Sequence, residues 1–311
     1  MPHRENLLYR GTEQKGSGMY KCLSPSAIGI LARQSELLEI ALTHKFQGLE
    51  IDIQEVLKRA QTTSAKQACR YLASAQVRIG GFELPIRWQG ADTEFQADLS
   101  QLGMLLEICG TLNADRCFTT IRPTCDQRPF HENFQFHIDR LGRVADALGP
   151  ANLKLGLNFL SAAVDRADGG FEFIHQADPT ILLINSIQRE NVGLILNTWH
   201  WWVGGGDIEK IRALRGDQIL SVHLADLPAS FDAATITDEQ RLLPGEGGSI
   251  DFSSLCSTLE EIGFDGPLVL APSPAVFKGQ KREATVSQAS ALLDGLLGKV
   301  AAEKQVAATG N

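Results

Sequence analysis

Basic residues are too few for a chain that grips nucleic acid: 29 Lys and Arg stand against 37 Asp and Glu, a formal net charge of −8. A phosphate backbone is held by an excess of cations, so no nucleic-acid partner is expected. Long apolar runs are missing too. None approaches the roughly 18–20 residues of a membrane span, so no membrane partner is expected. The polar stretch from Met1 to Gly18 lacks the apolar core of a signal peptide and reads as a flexible leader, residues 1–19. The 6 cysteines, Cys22, Cys69, Cys109, Cys117, Cys125 and Cys256, form no CxxC pair and no zinc-like spacing. Several sit in apolar surroundings, where a free thiol behaves as a small hydrophobe, and this pattern suits a reducing cytoplasmic compartment.

What is present is a strand-then-helix alternation. Apolar, β-rich runs occur at Ala27–Leu31, Gly48–Ile53, Val77–Leu84, Cys117–Ile121, Lys154–Phe159, Val192–Asn197, Ile219–Leu224 and Pro267–Leu270. Between them apolar residues recur at helical spacing, as in Ile138, Leu141, Val144, Ala145 and Leu148. Asp207 before Ile208 and Ser249 before Ile250 read as helix caps. Short, doubly apolar strands alternating with helices imply a parallel sheet covered by helices. A doubly wound sheet would carry a phosphate-binding glycine loop after its first strand, and none follows Leu31. A single-domain (β/α)8 TIM barrel over residues 20–298 is the expectation, with a frayed tail over 299–311. At 43% hydrophobic and 21% charged residues, 311 residues suffice for such a core.

Barrel proteins put their chemistry at the carboxyl ends of the strands, where eight loops converge. That rule selects Glu50 and Asp52 after strand two, Glu83 and Arg87 after strand three, and Arg122 after strand four. It also selects Asn158 after strand five, Asn197 and His200 after strand six, and His223 and Asp226 after strand seven. Arg241 and Glu246 lie on the long following loop. Each has a structural alternative. Asn158 and Asn197 either bond loop backbone or face a ligand; Trp199 either packs in the core or stacks on a sugar ring. Glu50 and Asp52 alternate with Leu49 and Ile51 and so share one face.

The blocks GLEIDI (48–53), LNTWHW (196–201), VHLAD (222–226) and RLLPGEGGSIDF (241–252) together resemble the xylose-isomerase-like TIM-barrel family. That family includes ketose 3-epimerases, inosose dehydratases and other sugar or sugar-phosphate isomerases. The resemblance runs from about Ser24 to Leu297. It implies a divalent metal held by a Glu after strand five, an Asp after strand six, a His after strand seven and a Glu after strand eight, the two Glu also acting as acid and base. Here the strand-seven position is His223, but the other three are Asn158, Asn197 and Ala271. Mn²⁺ and Mg²⁺ sites depend on carboxylate charge that amide oxygens do not supply. The expectation is therefore no cofactor, or a weakly held divalent metal (Mn, Mg or Zn) on His223.

Three readings follow from the resemblance. In the first, a sugar isomerase, epimerase or lyase works without the usual metal. His200 or His223 is then the base, Arg241 holds an oxyanion or phosphate, Glu50 or Glu246 orients hydroxyls, and Asn158, Asn197, Trp199, Asp52 and Arg122 complete the pocket. In the second, the barrel binds a small carbohydrate or polyol without turnover. In the third, a metal is kept with relocated ligands: His223 with Asp226, Glu246 or Glu50. A homo-oligomer fits all three.

Overall fold

The computed structural model describes residues 18–166 and 170–309, so nearly all of the expected leader lies outside the described residues. Eight parallel strands form one sheet: β1 Tyr20–Leu23, β2 Gly48–Glu50, β3 Arg78–Gly81, β4 Arg116–Ile121, β5 Lys154–Phe159, β6 Val192–Asn197, β7 Ile219–Leu224 and β8 Pro267–Leu270. Except for β3 and β4, each strand is hydrogen-bonded to its sequence neighbours, and β8 pairs with β1. The last gap, between β3 and β4, is bridged at Glu83 and Phe118. There the Leu84 N–H donates to the Phe118 carbonyl at 2.8 Å, and the Phe118 N–H to the Phe82 carbonyl at 3.0 Å. The sheet closes into a single-domain (β/α)8 barrel.

Seven strands fall where the apolar runs lie, but the first does not. Ala27–Leu31 was expected as a strand; Ser26–Ile28 is a short 3-10 turn instead, closed by Gly29 at φ 70°. Leu31 is 94% exposed. The true β1 is YKCL, masked in the sequence by a charge. Lys21 is buried, and its Nζ donates to Ser290 Oγ at 2.8 Å and pairs with Asp294 at 2.7 Å. Both partners belong to the final helix, Arg282–Thr309, which continues through most of the expected tail. An ammonium that finds two partners can sit in a buried strand at tolerable cost.

Caps show how local chemistry sets the helix starts. Asp207 caps Ile208–Arg212 as expected, accepting from the Lys210 N–H. The helix Phe252–Glu261 is capped by Asp251 rather than Ser249, because the Asp251 carboxylate reaches both the Ser253 and Ser254 N–H groups. Among the described residues no helix is long and apolar enough to cross a membrane. None of the six cysteines is in a disulfide, and five of them are buried.

Candidate active site at the barrel mouth

Alternation along the strands decides which side chains enter the barrel. In β4 the inward set is Arg116, Phe118 and Thr120; in β5, its register partner, it is Lys154, Gly156 and Asn158. At the carboxyl end this leaves Glu50, Thr120, Asn158, Asn197 and His223, with Glu83 and Ala271 just past β3 and β8. A register shift between Leu49 and Glu50 inserts an extra β3 residue there. Gly81 follows at φ 149°, and a Cβ on it would come 2.7 Å from Phe118 Cε1. Only glycine fits this bend, which aims the β2 and β3 ends into the mouth.

Glu50 and His223 meet across the mouth. His223 Nε2 lies 3.3 Å from Glu50 Oε1, although two strands, β1 and β8, stand between β2 and β7. The side chains just past those two strands are small, Ser24 and Ala271, and both are buried. They leave room for the pair. Glu50 is 8% exposed, and neither facing atom makes a hydrogen bond to any described group. Asn158 Nδ2 donates to Thr120 Oγ1 at 3.3 Å while its Oδ1 is buried without a partner. Ser221 Oγ, one step deeper on β7, is in the same state. Buried polar atoms are normally satisfied, so four such atoms at one barrel end point to a polar ligand. Glu83 stands nearby with its carboxyl pushed up to about 7, first by burial and then by the Glu50 charge. Its side chain still reaches solvent, as suits a group in the wall of an open funnel.

The remaining expected residues divide. Asn197 caps Thr198–Val203, accepting from the His200 N–H at 3.4 Å. His200 is buried, and its Nδ1 accepts from the Ser161 N–H at 3.1 Å. Burial, with help from Arg241, pushes its pKa down to about 3, so the imidazole is neutral near pH 7, with the ring proton on Nε2. Arg241 is half-buried, its Nε donating to the Asp238 carbonyl at 3.2 Å. Trp199 lies wholly in the core, edge-on to His200 at 5.0 Å, and offers no face to a sugar. Asp52 does not join Glu50: it is exposed and caps the helix Ile53–Thr62 through the Gln54 and Glu55 N–H groups. Arg122 is exposed beyond β4, and Arg87 is tied to Glu94 and Asp98. Glu246 is exposed and turned back onto its own loop, accepting from the Leu243 N–H at 3.3 Å. Asp226 is fully buried and accepts from five backbone N–H groups, those of Leu227, Gly245, Gly247, Gly248 and Ile250. Of the relocated ligands considered for His223, only Glu50 stands beside it. Thr120, Phe118 and Ser161 also stand at this end; the β4 alternation marks the first two in the sequence, and nothing local marks the third.

The neutral histidines carry a pH signature. His137, buried against Trp88 and Phe173, is pushed down to about 4 by burial. Unfolded, both His137 and His200 take a proton near pH 6.5; folded, neither does until much lower. Their contribution to stability is whole above pH 6.5 and is lost as pH falls towards 4. Glu83 contributes with opposite sign, weakening the fold as pH rises from about 4.5 to 7. Denaturation midpoints measured from pH 7.5 to 4.5 are expected to fall more steeply for the wild type than for His137→Gln.

Fold and mouth together define an α/β barrel with acid-base side chains at the carboxyl ends of its strands. The match to the family described as xylose isomerase-like TIM barrel spans residues 38–294, and the chain belongs to that family. Among curated relatives, the inosose isomerase of Bacillus subtilis (strain 168) is 28% identical over 164 residues, covering 51% of this chain and 54% of that one. The chain thus matches about half the length of that relative. A xylose isomerase domain protein from Alicyclobacillus acidocaldarius superposes with a TM-score of 0.81 at 19% identity, over 91% of this chain and 99% of its own. An IolI protein solved with a zinc atom superposes at 0.75 with 20% identity, over the same shares.

Proposed function

We propose that this protein catalyses proton transfer at the carbon beside a ketone in a small polyhydroxylated substrate, using Glu50 and His223. That step is common to isomerisation, epimerisation and β-elimination of keto sugars and keto polyols. The carrying observation is the 3.3 Å approach of His223 Nε2 to Glu50 Oε1, both buried and otherwise unbonded. The Glu50 carboxylate takes the proton from the carbon, the C–H electron pair becomes the C=C bond of an enediol, and the His223 N–H protonates the ketone oxygen. Glu83, with its carboxyl near 7, is placed to hold a proton for the return step. Asn158 Oδ1 and Ser221 Oγ are free to bind hydroxyls. The relation to an inosose isomerase favours a keto-cyclitol as substrate, and His200 is assigned to positioning rather than to base chemistry.

The family's four metal positions do not fit a tightly held divalent cation here. They present two amides, one imidazole and one methyl group. The Asn197 oxygen already caps a helix, and His223 Nε2 faces Glu50. A hard cation is selected by carboxylate oxygens, and this set offers none. The test is solvent exchange: protein stripped with chelator is incubated with an inosose in D2O, and loss of the proton beside the ketone is followed by ¹H NMR. Exchange is expected to survive chelation. A stoichiometric metal in the purified protein, together with exchange that stops on chelation, would overturn the metal-free reading. Absence of exchange at high protein concentration would leave a sugar-binding barrel without turnover.

A further inference from the structure

No hydrogen bond orients the His223 imidazole. Its Nε2 faces Glu50 Oε1 at 3.3 Å without bonding it, and its Nδ1 makes no hydrogen bond to any described group. A catalytic base is ordinarily aimed by a third group that bonds it. Here the neighbour is an aromatic ring. Phe118 stands 6.2 Å from His223, centroid to centroid, with the two planes at 84°, the edge-on geometry that aromatic rings favour. The Phe118 backbone is fixed on both sides. Its N–H donates to the Phe82 carbonyl at 3.0 Å, its carbonyl accepts from the Leu84 N–H at 2.8 Å, and its register partner on β5 is Gly156. Glycines flank the ring on both neighbouring strands. A Cβ on Gly81 would come 2.7 Å from Phe118 Cε1, and one on Gly156 would fall 2.3 Å from Ile195 Cδ1. The strands beside β4 thus send no side chain into the space that the Phe118 ring takes. A ring that only filled the barrel would be buried as Ile195 is, at 2% exposure; Phe118 is half-buried and borders open space.

We propose, on the reading of Glu50 and His223 as the acid-base pair, that Phe118 is a positioning residue whose ring braces the His223 imidazole and holds Nε2 towards Glu50. A wall of carbon fixes the orientation of the imidazole without bonding either nitrogen, so neither tautomer is imposed and both nitrogens stay open to protons. The test is Phe118→Leu, which removes the ring and leaves the backbone bonds in place. In the solvent-exchange assay its rate constant should fall by about tenfold or more while KM changes by less than about twofold, because misaimed catalytic groups lose rate steeply. Phe118→Tyr, which keeps the ring, should stay near wild type. In a His223→Ala background Phe118→Leu should cost nothing further, since the group it disturbs is already gone. NMR without substrate gives a readout apart from activity. Cross-relaxation between the Phe118 and His223 rings is expected in the wild type, and the His223 ring signals should move and broaden in Phe118→Leu but not in Phe118→Tyr. Phe118→Met, whose longer chain fills more of the space, replaces Phe118→Leu if that variant does not fold. Exchange at the wild-type rate, an equal loss with and without His223, or a rise in KM alone overturns the brace. Absence of cross-relaxation between the rings in the wild type overturns it too, and decides the matter if no exchange is found. A Glu50→Gln variant that exchanges like the wild type would instead remove the acid-base pair and leave the ring contact standing.

Discussion

Replacement of Glu50 by Gln is expected to reduce proton exchange into a keto-cyclitol by about 10²–10⁴-fold, the usual contribution of a positioned acid-base group. The amide keeps the shape of the carboxylate and its 3.3 Å approach to His223, so binding should change far less than turnover. An amide cannot accept the proton, and it carries no charge. The variant carries a second, independent readout. Glu83 is held near 7 by burial and, after that, by the Glu50 charge; once Glu50→Gln removes that charge, the Glu83 titration, followed by NMR of the labelled carboxyl, should move down. His223→Ala should lose exchange to a similar extent while leaving Glu83 where it is. If Glu50→Gln exchanges as fast as wild type, the pair is not the catalytic one, whatever happens to Glu83.

Substituting Asp226 by Ala should unfold the long loop after β7 and cost about 3–5 kcal/mol, since an acceptor shared by buried donors is removed and the donors are left unsatisfied. The carboxylate is fully buried and binds five backbone N–H groups, three of them on the Gly245–Gly248 turn. For a domain of this size that corresponds to a fall in thermal midpoint of roughly 10 °C. Asp226→Asn should lie between, because one oxygen remains but the new NH2 faces other donors. Gly247→Ala should fail in the same way, since a Cβ there would overlap the Leu227 carbonyl oxygen. Calorimetry on the three variants is the check. A change under about 1 kcal/mol for Asp226→Ala, the range of an ordinary surface substitution, would show that the loop holds its shape without this anchor.

Asp226 also marks the limit of reading strand ends from sequence. It follows β7 by two residues, as a ligand or base would, and so does Asp52 after β2. Both are consumed by backbone N–H groups. A carboxylate that caps and a carboxylate that reacts have the same sequence neighbours; the difference lies in whether local N–H groups reach it first. The two histidines pose the same problem. His200 sits on a helix with its Nδ1 taken by Ser161, whereas His223, one step before the end of a strand, projects into the mouth. Trp199, flanked by polar strand-end residues, turned inward because its helix buries that face. The strand missed by pattern, Tyr20–Leu23, was hidden by Lys21, whose partners lie more than 260 residues away.

Periodicity and composition alone determined the barrel class, seven of its eight strands, and the end at which chemistry belongs, because each depends on short-range alternation of apolar and polar residues. Closure of the sheet decided the rest. Only when β1 pairs with β8 and the sheet curls do Glu50 and His223, 173 positions apart by subtraction of their numbers, come within 3.3 Å over two small residues. Proximity across a barrel is a property of the ring, and no local pattern encodes it.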